Sequence, residues 1–329
     1  MGNGKYCYAN DFWIGGDSIN SFLAWVGGKK ALRDEIYKRM PAQYTRYIEV
    51  FGGAAWVLFG RQPDGVMEVY NDYNSNLTNL FFCVKHRTWE FLQHLGFLPL
   101  NSRDEFYAIR HFLNKGEYDD SFLNQELKLA QHNLPEADFE DIESILKENA
   151  KPSDLRKAVA FYKMLRYSYG SDVRTFSCQP CDIRKFFALI SQASRRLAST
   201  VIENQDFETL IRHYDRPGAF FYCDPPYFGA ECYEVKFPRE DHCRLKKTLE
   251  QIQGKWMLSY NDCDFIRDLY QNYYITPVVR SSNMMQRYDA GSEYAELIIT
   301  NYDPQERALE SPRQLSLFGS EFMGGDMDE

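Results

Sequence analysis

The 329-residue chain has no apolar run long enough to span a bilayer. Met1 to Asp11 are polar and lack the hydrophobic stretch of a signal peptide, and Tyr6 stands where myristoylation requires Ser or Thr. There is no GxGxxG. Cys178-Gln-Pro-Cys181 has no second pair at zinc spacing, so no metal site is expected. The eight cysteines show no regular spacing, which suits a reducing compartment and predicts a cytoplasmic protein. Basic residues are also short, 38 against 47 acidic for a net charge of −9, which at first argues against a nucleic-acid partner.

The distribution of charge reverses that impression. Glu117 to Asp154 hold eleven acidic and three basic residues, whereas Leu155 to Thr200 hold nine basic and two acidic. One compact basic segment lies between acidic flanks, and phosphate binding responds to a local patch more than to the total. A pair of ordinary solvated helix faces would show the same counts.

The most informative stretch is Ala219-Phe-Phe-Tyr-Cys223-Asp224-Pro225-Pro226-Tyr227. Five apolar or aromatic residues read as a buried strand, and two prolines stop it because neither donates to a sheet ladder. An acid and a ring are left at the carboxyl end of the strand, where open α/β sheets bind ligands. Asp224 and the Pro225 carbonyl can both accept from one exocyclic amine, orienting its lone pair, and Tyr227 offers a flat face to a base. A plain surface turn is the alternative.

Before it, Phe22 to Lys30 carry Gly27-Gly28-Lys29 ahead of a helical pattern over 31–40. By itself this glycine pair reads first as a plain turn, and backbone N–H groups and an ammonium there could meet a carboxylate. Tyr47-Ile-Glu-Val-Phe51-Gly52-Gly53 reads as a strand, a small-residue turn and a helix. Val66 to Asp72 reads as a second strand ending in an acid, at the offset where a ribose is held. Asp72 could equally cap the helix that follows, from Asn74 to about His86. From Arg87 to Thr200 the periodicity is helical, interrupted by an Arg- and aromatic-containing loop, Arg166 to Ser177, whose composition suits phosphates and unstacked bases, with a structural loop carrying two surface arginines as the alternative. Strands then resume at Thr200–Asp206, at 219–223, at Lys255–Asn261, at Tyr274–Val279 and at Ala295–Tyr302, with helices at 239–252 and 262–271. Alternating strands and helices predict a mostly parallel sheet covered on both faces, with the helical stretch as an insertion.

Taken in order, WVGGKK, EVFGGAAW, YND, QDF, CDPPY, LSYND and ELIITNY resemble the Dam-type (D12 class, alpha group) site-specific DNA adenine-N6 methyltransferases, from about Phe22 to Tyr302. The resemblance implies a Rossmann-like α/β methyltransferase sheet over 1–86 and 200–302. It also implies a helical target-recognition insertion over 87–199, S-adenosylmethionine as cofactor, and double-stranded DNA as substrate. By the same resemblance Trp25, Gly27, Gly28, Lys29, Phe51, Gly52 and Gly53 cradle the cofactor, Asp72 takes its ribose, and Asp206 and Phe207 hold its adenine. Asp224 to Tyr227 then grip a target adenine flipped from the duplex, Asp224 also bordering the cofactor. Arg166, Tyr167, Tyr169 and Arg174 are expected to meet DNA. GATC-specific relatives carry a base-reading lysine before the motif tryptophan; here that position is Ala24, so the target sequence stays open.

The tail, 303–329, is acidic and aperiodic. Within it Gln314, Leu315, Leu317 and Phe318 of QLSLF resemble the peptide that docks bacterial replication proteins onto the DNA sliding clamp. A bacterial or phage origin, nucleoid association and membership of a restriction-modification pair accord with the family. The other readings are an RNA or cytosine-N4 methyltransferase on the same scaffold, and a non-catalytic clamp-tethered DNA-binding module.

Overall fold

The computed structural model describes residues 19–23, 25, 27–63, 65–96, 103–115, 127–128, 130–132, 135, 139–141, 143–144, 155–168, 175–177, 182–229, 237–281 and 293–305. Its centre is a seven-stranded sheet. The strands are β1 (Arg46–Glu49), β2 (Met67–Asn71), β3 (Thr200–Glu203), β4 (Ala219–Cys223), β5 (Lys255–Asn261), β6 (Tyr274–Ser281) and β7 (Glu293–Thr300). They lie in the order β3-β2-β1-β4-β5-β7-β6. The first five run parallel, whereas β7 is antiparallel to both β5 and β6. Two segments distant in sequence thus build one sheet, with β4 inserted beside β1, Glu49 opposite Tyr222.

Side chains of the central strands alternate between two cores, as a period of two requires. Tyr47, Tyr70, Phe220, Tyr222 and Met257 point to one face; Ile48, Val69, Phe221, Cys223 and Leu258 point to the other. The second face is closed by α8 (Phe207–Tyr214), α9 (Arg239–Leu249) and α10 (Asp264–Leu269), through Leu210, Leu245 and Ile266. The first face is covered by α3 (Ser75–His86), α4 (Thr88–Gly96), α6 (Leu155–Tyr167) and α7 (Phe187–Leu197), with Phe81, Leu92, Phe161 and Ile190 in its core. The helical stretch therefore shares a core with the sheet. It is also pinned by charge: Glu68 of β2, 2% exposed, receives Arg61 at 2.7 Å and Arg196 of α7 at 2.5 Å. Buried charges persist only when paired in this way. Two short helices, α1 (Arg33–Arg39) and α2 (Trp56–Gly60), follow the two glycine turns, and α5 (Arg103–Lys115) packs on α6.

The loop expected from Arg166 begins later than its composition suggested. Helix α6 runs to Tyr167, because no Gly or Pro interrupts its apolar spacing.

Candidate active site

Between β1 and β4 the strand order reverses, and the crevice outside the strand ends at such a point is the ligand site of open α/β sheets. A cavity of about 280 Å³ opens there. Every residue expected to contact the cofactor lines it: Trp25, Gly27, Gly28, Lys29, Phe51, Gly52, Gly53, Asp72, Asp206, Phe207 and Asp224, with Pro226 of the proline pair.

Two glycine turns line the cavity, and a side chain at 28 or 52 would need its neighbour to shift. A Cβ on Gly52 would lie 2.2 Å from the Tyr70 ring, and one on Gly28 would lie 2.7 Å from Trp56 Nε1. Gly53 has φ +50° and its carbonyl accepts from the Tyr70 hydroxyl at 2.8 Å. Asn71 locks the turn from behind, donating from Nδ2 to the Val50 carbonyl at 2.9 Å. Asp72 accepts from the Gly53 N–H at 2.9 Å and from the Asn74 N–H at 2.8 Å. The cap of α3 is Asn74, whose Oδ1 receives the Asn76 and Leu77 N–H groups, so Asp72 is left facing the cavity. Burial pushes the Asp72 carboxyl above its ordinary range, against the pull of those N–H donors.

At one end of the cavity lies Asp224. Lys29, only 3% exposed, places its ammonium 2.7 Å from Asp224 Oδ1 and 4.6 Å from the centre of the Tyr227 ring. Ser259 Oγ donates to the same Oδ1 at 2.8 Å and contacts the Tyr222 hydroxyl at 3.0 Å. Burial raises the Asp224 pKa, and Lys29 and Ser259 hold it back. The Tyr227 hydroxyl donates to the Glu296 carboxylate, so the ring is fixed by its far end. Pro225 is buried and Pro226 is half-buried. Glu49, at the end of β1, also borders the cavity; burial pushes its carboxyl up to about 8, and the Tyr47 hydroxyl, donating at 2.9 Å, opposes this.

At the other end Asp206 caps α8, accepting the Glu208 N–H at 3.0 Å. Arg244 of α9 grips both its oxygens, at 2.7 and 2.9 Å, and holds its carboxyl below the usual range. The same guanidinium lies 4.0 Å from the centre of the Phe207 ring.

A family model of D12 class N6 adenine-specific DNA methyltransferases matches residues 25–284. The chain belongs to that family. It is a DNA adenine methyltransferase by membership, an enzyme whose substrate is DNA. It is 24% identical over 310 residues to the Type II methyltransferase M1.LlaDCHI of Lactococcus lactis subsp. cremoris, covering 87% of this chain and 96% of that one. It is 25% identical over 314 residues to the Type II methyltransferase M.MjaIII of Methanocaldococcus jannaschii, covering 86% and 99%. Over a shorter span of 97 residues it is 38% identical to the DNA adenine methylase of Serratia marcescens, 29% of this chain and 35% of that one.

Two expected DNA contacts of this methyltransferase are engaged within the protein. Tyr167 is 1% exposed in the core and has no face free for a base, which corrects the sequence expectation. Arg166 donates to the Phe22 carbonyl and stacks 3.6 Å over the Phe186 ring, tying α6 to the Trp25 loop. Tyr169, Arg174, Ala24, Cys178, Cys181 and the peptide Gln314, Leu315, Leu317 and Phe318 lie outside the described residues. Among the described residues no cluster of His, Cys, Asp or Glu suits a metal ion, and no helix is long and apolar enough to cross a membrane.

Three site residues escaped the sequence reading. Ser259 lay within the LSYND motif, and parallel register carries it level with Asp224, one step past the Cys223–Leu258 pair. Glu296 had a signal: an acid inside the apolar strand Ala295-Glu-Leu-Ile-Ile. Arg244 had none, since a helix-surface arginine is ordinary.

Proposed function

We propose that the cavity binds S-adenosylmethionine and that Asp224, Pro225 and Tyr227 hold a flipped target adenine for methylation at N6. The observation that carries this reading is the single cavity shared by the glycine turn, Asp72, Asp206 and Asp224. The donor set fits the cofactor. Glycines 28, 52 and 53 line the cavity and let Trp56, Tyr70 and Trp25 pack directly against its turns, Asp72 can accept from a ribose diol, and Asp206 with Phe207 can take an adenine amine and ring. When bound, S-adenosylmethionine supplies an electrophilic methyl group.

The rest of the chemistry belongs to the chain. A base within the duplex cannot present its amine, so it is extruded. Tyr227, held by Glu296, offers a rigid stacking face. Asp224 and the Pro225 carbonyl accept the two amine hydrogens and leave the nitrogen lone pair directed at the donor. Lys29 and Ser259 fix the carboxylate in place. Positioning and oriented charge in a half-buried site then account for the rate.

The helical stretch 87–199 is the candidate reader of the target sequence, with Tyr169 and Arg174 its candidate DNA contacts. The tail peptide Gln314–Phe318 is a candidate tether to a sliding clamp; changing Leu317 and Phe318 to Ala abolishes capture by purified clamp if so, and unchanged capture refutes it. The cofactor assignment is tested by equilibrium binding of S-adenosylhomocysteine to wild type and Asp72→Ala. Loss of at least about tenfold in affinity is expected, as for a buried hydrogen-bonding acid. Equal affinity contradicts the assignment.

A further inference from the structure

Asp206 and Phe207 are the two groups assigned to the cofactor's adenine, and one side chain already stands on both. Arg244 donates from Nη1 to Asp206 Oδ1 at 2.7 Å and from Nη2 to Oδ2 at 2.9 Å, a bidentate grip. Its planar guanidinium lies 4.0 Å above the Phe207 ring centre, the distance of a stacked partner. Phe207 is otherwise packed against Phe51 and Phe237, each with its ring centre 5.7 Å away, and the whole residue is only 5% exposed. Of these three neighbours Phe51 and Phe237 are themselves packed edge to face on each other. Arg244 alone is a long, flexible side chain, 37% exposed.

We propose that Arg244 is a gate on the purine end of the cavity, occupying the stacking and hydrogen-bonding positions of an adenine until the ligand displaces it. A flat group donating N–H bonds to Asp206 while lying on Phe207 makes the same two contacts that an adenine amine and ring make there. Arg244, Asp206 and Phe207 all line the cavity, so an adenine seated on the ring face that Arg244 covers has to move it aside. The displaced cation keeps partners, because Arg244 already donates from Nε to Asp241 at 3.0 Å and from Nη1 to Glu208 at 3.3 Å. Release is therefore a short swing from Asp206 toward Asp241 of α9 and Glu208 of α8, and the cation keeps a carboxylate partner. The barrier is modest, since exposed ion pairs and cation–π contacts are individually weak.

This gate rests on the reading that Asp206 and Phe207 receive adenine. Calorimetric titration with S-adenosylhomocysteine, which carries no net charge, compares wild type with Arg244→Ala. Removing the gate raises the fraction of open sites, so Kd falls by about three- to tenfold. Association, followed by the fluorescence of cavity-lining Trp25 and Trp56, accelerates in the variant. High salt, which loosens the Arg244 pairs, tightens wild-type binding and leaves Arg244→Ala unchanged. Weaker or equal binding by Arg244→Ala, or the same salt response in both proteins, overturns the gate and makes Arg244 a lid or a plain surface contact. If the alanine variant fails to fold, Arg244→Gln serves, and it too must bind more tightly. A wild type that takes up no S-adenosylhomocysteine overturns the cofactor assignment itself, whereas a wild type that binds it beside an Arg244→Ala that binds no better overturns the gate alone.

Discussion

Two aspartates mark the two ends of one cavity, each paired to a cation, and they behave in opposite ways. Asp224 and Lys29 are 18% and 3% exposed, and burial pushes the Asp224 pKa up in spite of the ammonium beside it. Asp206 and Arg244 are 35% and 37% exposed, and the guanidinium holds the Asp206 pKa down. Both are paired, but Asp224 is the more deeply buried, whereas Asp206 is gripped through both oxygens by Arg244. At the buried end desolvation outweighs the partner, and the charge is kept for a hydrogen-bonding task in a low-dielectric site. At the open end water screens the pair, which can let go and re-form.

Removing each cation is the sharpest way to break this contrast. Lys29→Met strands a largely buried carboxylate, and a loss of about 3 kcal/mol is expected in urea unfolding at neutral pH. Arg244→Ala should lose less than about 1 kcal/mol in the same measurement, because its pairs are exposed. Similar losses for the two variants would dissolve the distinction. Gly52→Ala comes between them. Its Cβ, 2.2 Å from the Tyr70 ring, forces the ring to move, at about 1–3 kcal/mol by thermal or urea unfolding and with weaker ligand binding.

Two pH dependences sharpen the contrast further. Asp224 accepts the amine as a carboxylate, so its protonation as pH falls removes activity. Its raised pKa places that loss above the ordinary aspartate value of 3.8. Lys29 is among the groups that lower this pKa, so any activity left in Lys29→Met should fail at still higher pH, read from single-turnover rates. Glu49 is a carboxylic acid whose folded pKa, about 8, lies above its ordinary 4.5. Stability from its neutral form is complete below 4.5 and is lost as pH rises toward 8. Glu49→Gln cannot ionise, so its melting temperature should fall less than wild type between pH 5 and 8.

Much of the sheet could be read in advance, because its strands are apolar runs ending in chemistry-bearing residues. Asp72, Asp206 and Asp224 each follow a strand end, and β5 began and stopped where its pattern did. Strand direction was less legible: β7 runs antiparallel, and alternation of side chains is the same in either direction. Around Tyr167 loop composition and helical spacing point to different structures, and the unbroken helical spacing wins. The pairings that join the site, Lys29 with Asp224, Tyr227 with Glu296 and Asp206 with Arg244, link distant parts of the chain. Such contacts arise from packing β4 beside β1 and α9 beside α8, and no local pattern announces them.

The most direct measurement digests DNA treated with purified protein and S-adenosylmethionine to nucleosides and identifies the modified base. Wild type should produce N6-methyldeoxyadenosine, and Asp224→Ala at saturating donor should produce at least about a hundredfold less. A methylated cytosine, or an undiminished yield from Asp224→Ala, would contradict the account.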